Sequence, residues 1–423
     1  MLRSTWRAFC PVAVLLGYLA TCQLAQANGF RNPPESAAAL GQGGGRTALI
    51  QSPAALALNP ANLAGVEAPT LEASYTYIRG KATFTDLTGM RRGSTRANSK
   101  HLANAFFAGP IDDRVVLGLG ITTPYGQSVK WEEAGPFQFV APHSAELQVI
   151  AFSPAAAYQA TDRLRIGASV NIYYADLELA QGFPWQSVTG VPGTPAGTAR
   201  FEGDGVAAGG TLGLAYQLCD RQRVGLSYRS EATVRYDGDF RLSNIPPLPS
   251  PLNLAIRPRS DFSSEMTFPN IVAAGYGVAL TEALTLGVDV EWIEFSSYDE
   301  FPIDAGSNSV LLPQTSIPQE WKDTWVLAAG LDWEVREGLN LRGGYTFLES
   351  PIPRRTLAPT LPDADRHLLS VGLGWTHGRQ QFDVAYAYSI YDSLRVRDNV
   401  NPAFNGRYEL DNHLLQLSYQ LSF

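Results

Sequence analysis

The stretch HLLQLSYQLSF, His413 to Phe423, decides how the rest of the chain is read. His413, Leu415, Leu417, Tyr419, Leu421 and Phe423 form one parity, and it is mostly apolar. Between them stand Leu414, Gln416, Ser418, Gln420 and Ser422, of which all but Leu414 are polar. A two-residue period puts these sets on opposite faces of a β-strand. The stretch ends on the aromatic Phe423.

The same alternation recurs upstream, from Leu71 to Tyr77, Leu102 to Ala108, Val115 to Ile121, Leu147 to Tyr158, Leu164 to Tyr174, Val206 to Tyr216 and Val224 to Tyr228. It continues from Ile271 to Leu280, Leu284 to Trp292, Trp325 to Trp333, Leu339 to Phe347, Leu369 to Trp375 and Phe382 to Ile390. With the last strand this predicts an all-β fold, an antiparallel transmembrane β-barrel of about 14 strands, the even number that a closed barrel of this kind requires. Short polar gaps at Asp112-Asp113, Thr161-Asp162, Asp220-Arg221, Thr281-Glu282, Arg336-Glu337 and Gly378-Arg379 alternate strictly with long ones. Periplasmic turns and extracellular loops alternate in this way, which places both termini on the periplasmic side of a Gram-negative outer membrane. Tyr75, Trp292, Trp325, Trp333, Tyr345 and Trp375 lie near strand ends, where aromatic rings suit a headgroup layer.

The N-terminus has the order of a secretory signal peptide: Arg3 and Arg7, an apolar run from Ala8 to Ala20, then Ala25-Gln26-Ala27, predicting cleavage after Ala27. Losing two arginines and no acid makes the chain still more acidic than its net charge of -8, with no basic stripe for nucleic acid. Cys219 is then the lone cysteine, so no internal disulfide forms. Mean hydropathy near zero, with 39 glycines and 18 tyrosines, suits strands in which only every second residue is apolar.

Residues 28–69 lack the alternation. They are small, apolar and glycine-rich, and are expected to form a partly helical hatch inside the lumen of the barrel formed by residues 70–423. Short helical turns are expected over Ser36 to Gly43 and Ser52 to Leu58, the latter stopped by Asn59-Pro60. Gly41-Gln42-Gly43-Gly44-Gly45 lacks the strand and lysine of a phosphate loop, so its glycines read as close packing against the wall. The histidines show no metal-ligand spacing and no G-x-S-x-G occurs, so no metal, cofactor or catalytic residue is assigned.

Gly29-Phe30, Ser36 to Gly43 and Ser52 to Gly65, with Asn59-Pro60-Ala61 at their centre, resemble the N-terminal hatch of the FadL/TodX family of outer-membrane transporters. Phe268-Pro269, Leu284 to Trp292, Leu339 to Tyr345, Ser350 to Pro353 and Leu361 to His367 are similar to the family's later signatures, in the same order. Asn62 departs from it, standing where many relatives carry glycine. The resemblance implies a 14-stranded barrel carrying long-chain fatty acids or other hydrocarbons passively: loops capture the ligand, the lumen holds it, and an opening in the wall releases it sideways.

Candidate site residues follow. Phe30 is expected to bear on the ligand site, and Asn59-Pro60-Ala61 to anchor the hatch beside the first strand. Phe183, Trp185, Leu252 and Leu254 lie in long loops whose apolar content suits ligand capture, the alternative being loops that pack together as a lid. Gly118 and Gly120 are read either as the bend of a lateral gate or as small residues making room for the hatch. A fatty-acid carboxylate needs a cation, and Arg165, Arg200, Arg235 and Arg342 are the candidates. Expected partners are the hydrophobic ligand, outer-membrane lipid and lipopolysaccharide, and barrel assembly machinery at Phe423, with the protein a monomer. A polar-solute porin and a structural or adhesive barrel are the competing readings.

Overall fold

The computed structural model describes residues 29–96, 98–248, 250, 252–312 and 315–423. The signal-peptide expectation therefore lies outside the described residues. Fourteen antiparallel strands form the wall. They are β1 (Thr70–Asp86), β2 (Asn98–Pro110), β3 (Val115–Thr122, resuming as Gly126–Lys130), β4 (Ser144–Gln159), β5 (Leu164–Phe183), β6 (Gly197–Cys219) and β7 (Gln222–Arg229, resuming as Ala232–Leu242). β8 (Arg259–Phe268, resuming as Ile271–Ala279), β9 (Leu284–Ile293), β10 (Thr324–Arg336), β11 (Leu339–Leu348), β12 (Arg366–His377), β13 (Gln380–Tyr391) and β14 (Gly406–Ser422) complete it. The barrel closes where β1 pairs with β14 from Thr70↔Ser422 to Asp86↔Gly406.

Alternation drives this closure. Val170, Ile172 and Tyr174 on β5 are 54%, 43% and 47% exposed, while Asn171, Tyr173 and Ala175 between them are buried. Burying one side chain of this size is worth roughly 1.5–3 kcal/mol, so a continuous outward band of them calls for lipid rather than water. Trp325, Trp333, Trp375 and Tyr75 belong to this outer face.

Residues 29–69 lie inside the wall. Ser36 caps α1 (Ala37–Gln42), its hydroxyl accepting from the Ala39 amide at 3.2 Å, and Gly43 ends it at φ +73°. Two further turns, α2 (Arg46–Leu49) and α3 (Ala55–Leu58), follow. Asn59-Pro60 stops α3 as expected and also opens a 3-10 turn over Pro60–Gly65, because the Asn59 side chain caps the Ala61 amide at 3.1 Å.

Wall glycines receive this insert. Gly277, Gly287, Gly330 and Gly344 are direct cross-strand partners on β8 to β11. A methyl group built on Gly330 would lie 1.6 Å from the Gln42 carbonyl oxygen, and one on Gly287 would lie 2.6 Å from the Gly45 Cα. Glycine is required here because backbone approaches backbone. Across the barrel, Gly167 on β5 and Gly213 on β6 meet Asn59-Pro60-Ala61, and the Asn59 side-chain amide donates to the Leu214 carbonyl at 2.9 Å. This anchor therefore lies against β5 and β6 rather than beside the first strand as expected. Gly41 and Gly43 sit against Gly372 and Gly344.

Candidate functional site

Three features meet at the tip of the hatch. The first is an aromatic cluster around Phe30, which is 1% exposed. Its ring stacks on Trp321 at 5.3 Å and meets Phe268, Phe295, Tyr298 and Tyr125 edge-on between 5.5 and 6.0 Å. Each such pair adds about 0.5–1.5 kcal/mol beyond area burial, so Phe30 joins the tip to β8, to Tyr125 and to the connection between β9 and β10.

The second is a small chamber, about 40 Å³ in volume, lined by Arg31, Glu35, Arg46, Arg229 and Arg366 together with Leu58, Val326, Leu348, Leu368 and Leu414. Arg31 and Arg46 both donate to Glu291, the latter at 2.8 Å, and the Arg46 and Thr47 amides donate to Asp289 at 2.7 and 3.0 Å. Arg229 donates to the Ala57 carbonyl at 2.6 Å, and the buried Arg366 Nε has no hydrogen-bond partner among the described residues. Burial pushes the Glu35 carboxyl up from its ordinary range against the opposing pull of Arg229, Arg31 and Arg46. Cationic heads and an aliphatic wall thus share one space.

The third is an opening in the wall. β2 and β3 pair only from Ala105↔Ile121 to Pro110↔Val116. Beyond that, Thr123 to Tyr125 turn inward, Tyr125 stacking on Phe268 at 4.4 Å, and β3 resumes at Gly126 in register with β4. A cavity of about 860 Å³ lies there, lined by inward Lys100, Leu102 and Val149 and by outward Tyr75, His101 and Ile150. The hatch takes the vacant strand edge: the Gly126 amide donates to the Phe30 carbonyl at 2.8 Å and the Asn32 amide to the Pro124 carbonyl at 3.0 Å. The Asn32 side chain spans the gap, donating to the Thr123 carbonyl at 2.6 Å and accepting from Lys100 Nζ at 2.7 Å.

The candidates from the sequence fall in different places. Phe30 is at the site. Gly118 and Gly120 lie in the paired part of β3 against Leu63 and Leu56 of the hatch, and the interruption begins later, at Thr123. Arg165 holds Gln51 and Gln159 at 2.7 Å each, near the periplasmic turn. Arg200 pairs with Glu178 and Glu202 on the outer face, Arg235 is exposed beside Glu265, and Arg342 lies between Asp332 and Asp383. None of these four lines the chamber. Trp185 is fully buried, its indole donating to the Ser243 carbonyl at 2.9 Å beside Phe183, and Leu252 packs on the same core, whereas Leu254 is 68% exposed.

Sequence reasoning missed Arg31, Arg46, Arg229, Arg366 and Lys100. Parity was the available signal: on β12 Leu369, Val371 and Leu373 face lipid, so Arg366 faces in. On β6 Val206, Leu212 and Leu214 face lipid, so Arg200 faces out with them. On β7 the interruption at Ser230-Glu231 switches parity, turning Arg229 inward and Arg235 outward.

A closed barrel with a lipid-facing band, an internal hatch and an opening in its wall is an outer-membrane transport channel. The chain belongs to the outer membrane protein transport family (OMPP1/FadL/TodX), which matches it over residues 18–423. Among its relatives, the long-chain fatty acid transport protein of Escherichia coli O6:H1 is 25% identical, covering 85% of this chain and 86% of its own. In fold it is similar to a FadL homologue of Pseudomonas aeruginosa, with a TM-score of 0.80 at 21% identity over 93% of this chain and 100% of that one. The toluene transporter TodX of Pseudomonas putida is a further structural neighbour, with a TM-score of 0.73 at 17% identity, covering 93% and 99%.

Proposed function

We propose that the protein takes up hydrophobic small molecules passively, with long-chain fatty acids as principal substrates, and performs no chemistry on them. The chamber beside the hatch carries this reading: Arg229 and Arg366 stand next to Leu348, Leu368 and Leu414. A fatty acid has one anionic end and a long apolar tail, and a buried carboxylate without a cation costs several kcal/mol. The name of the Escherichia coli relative agrees with this chemistry. In this reading the ligand is gathered among the extracellular loops that carry Phe183, Trp185, Leu252 and Leu254. It then enters the chamber as the hatch tip shifts and leaves sideways through the third strand, with Thr123 to Gly126 as the moving part and Gly118 and Gly120 as the bearing for the hatch. The protein works as a monomer among outer-membrane lipids and lipopolysaccharide, inserted through recognition of Phe423.

A neutral aromatic ligand is the second reading, favoured by the rings around Phe30. A polar-solute porin fits less well, because the glycine-seated hatch occupies the lumen. The test is extraction of ligand from protein purified without added lipid, followed by mass spectrometry, with uptake of oleate and toluene measured in parallel. Co-purified fatty acid and an oleate uptake that falls roughly tenfold in Arg366→Met, about 1.4 kcal/mol of recognition, support the first reading. Toluene uptake alone moves the assignment to the second.

A further inference from the structure

Lys100 is a buried cation that the arginine chamber does not use. It is 5% exposed on β2 and faces inward where β2 has lost its neighbour β3. Its ammonium makes no ion pair within 4.0 Å among the described residues; its hydrogen bond goes to the neutral amide oxygen of Asn32 at 2.7 Å. Glu146 on β4 is the acidic group whose field reaches it. A methyl group on Gly126 would lie 2.9 Å from Nζ, so the head group is lodged against the point where β3 resumes. Lys100 also lines the cavity of about 860 Å³, whose lining includes inward residues such as Leu102 and outward ones such as His101.

We propose that Lys100 is an anion-recognition site at the wall opening, and that the carboxylate of a departing fatty acid replaces the Asn32 side-chain oxygen as its acceptor. The proposal rests on the fatty-acid reading of the channel. A carboxylate is a stronger acceptor for an ammonium than an amide is, because charge-assisted hydrogen bonds are roughly twice as strong as neutral ones. Since Asn32 also holds Thr123 and Pro124, the exchange releases the hatch tip from the strand it latches. The opening therefore responds to the charged end of the ligand, and a neutral chain of the same length does not trigger it.

The experiment compares uptake of oleate with that of oleyl alcohol, its uncharged counterpart, by cells carrying the wild-type protein, Lys100→Met or Lys100→Arg at equal outer-membrane levels. The expected result is that Lys100→Met lowers the oleate-to-alcohol uptake ratio roughly tenfold while Lys100→Arg keeps it within about twofold, as loss or retention of a charge-assisted partner implies. An unchanged ratio overturns the proposal, and so does an equal fall with both probes, which marks a structural lysine. Should Lys100→Met fail to insert, Asn32→Ala decides: freeing Nζ lowers the half-saturating oleate concentration roughly threefold, and no change overturns the proposal. Wild-type cells that take up neither probe overturn the fatty-acid reading itself, an outcome distinct from the others because it appears without any variant.

Discussion

The hatch is held by two unlike interfaces. On the side of β8 to β11 it rests on a glycine ladder, backbone against backbone, with Gly44 and Gly45 over Gly287 and the Gln42 carbonyl over Gly330 and Gly344. On the side of β2 and β3 its tip is joined by the Phe30 and Asn32 backbone bonds and by the Asn32 side chain, which reaches Thr123 and Lys100. At the first interface Gly44, Gly45 and the Gln42 carbonyl meet wall backbone at Gly287, Gly330 and Gly344, contacts that no rotamer change can relieve. The second is built from hydrogen bonds that a polar ligand end can replace. One side is a seat and the other a latch, so the tip is the part equipped to move while the body stays in place.

The strongest way to break this comparison is to crowd the seat. In Gly330→Ala the new methyl meets a main-chain oxygen that no rotamer change can move, so the hatch must shift. Overpacking of this kind costs about 1–3 kcal/mol. The expected outcome is a lower melting temperature and higher permeability to small hydrophilic solutes, read as antibiotic sensitivity. Gly343→Ala is the control, since a methyl there meets nothing within 4 Å. Equal effects of the two would mean that the ladder is not a seat.

Asn32→Ala tests the latch. It removes one buried and one part-buried hydrogen bond, each worth on the order of 1 kcal/mol, from one end of the hatch only. Hydrogen exchange is expected to rise at residues 29–35 and at Thr123 to Gly126 while residues 41–49 keep their protection. Loosening of the whole hatch would erase the distinction between seat and latch.

This division was only partly legible in the sequence. All the membrane-spanning parts of the strands were readable, because lipid enforces alternation on one face over residues such as Leu415, Leu417 and Tyr419. Ala232–Leu242 and Arg259–Phe268 were not read as strands and passed for loop. These extensions lack a lipid face, and breaks at Ser230-Glu231 and Pro269-Asn270 separate them from the strands below. The glycines of the hatch announced close packing, but only register shows that Gly277, Gly287, Gly330 and Gly344 stand side by side. The chamber was hidden for a related reason. Parity tells which arginines face in, yet Arg165 and Arg366 share that property and differ in height along the barrel, which depends on where the hatch stops. Lys100 was hidden because Pro124 marks the break in β3 but nothing local shows that a lysine on β2 and Asn32 of the hatch meet there.

The smallest expected effect concerns pH and sharpens the comparison through Glu35, which adjoins the latch. Its side chain is buried and its carbonyl accepts from the Ser74 hydroxyl of the wall. Burial raises its pKa above the ordinary value of 4.5, with Arg229, Arg31 and Arg46 opposing. In the folded state the group therefore holds its proton more tightly than in the unfolded chain. The stabilisation this represents is complete below pH 4.5 and is lost as pH rises through the folded value. Charging Glu35 then loosens the residues around Asn32 without touching the glycine ladder. Melting of the wild-type barrel between pH 4 and pH 8 is expected to fall by a few degrees more than that of Glu35→Gln, which stays neutral throughout. Identical slopes for the two would assign the pH response to other groups and leave Glu35 a silent part of the hatch.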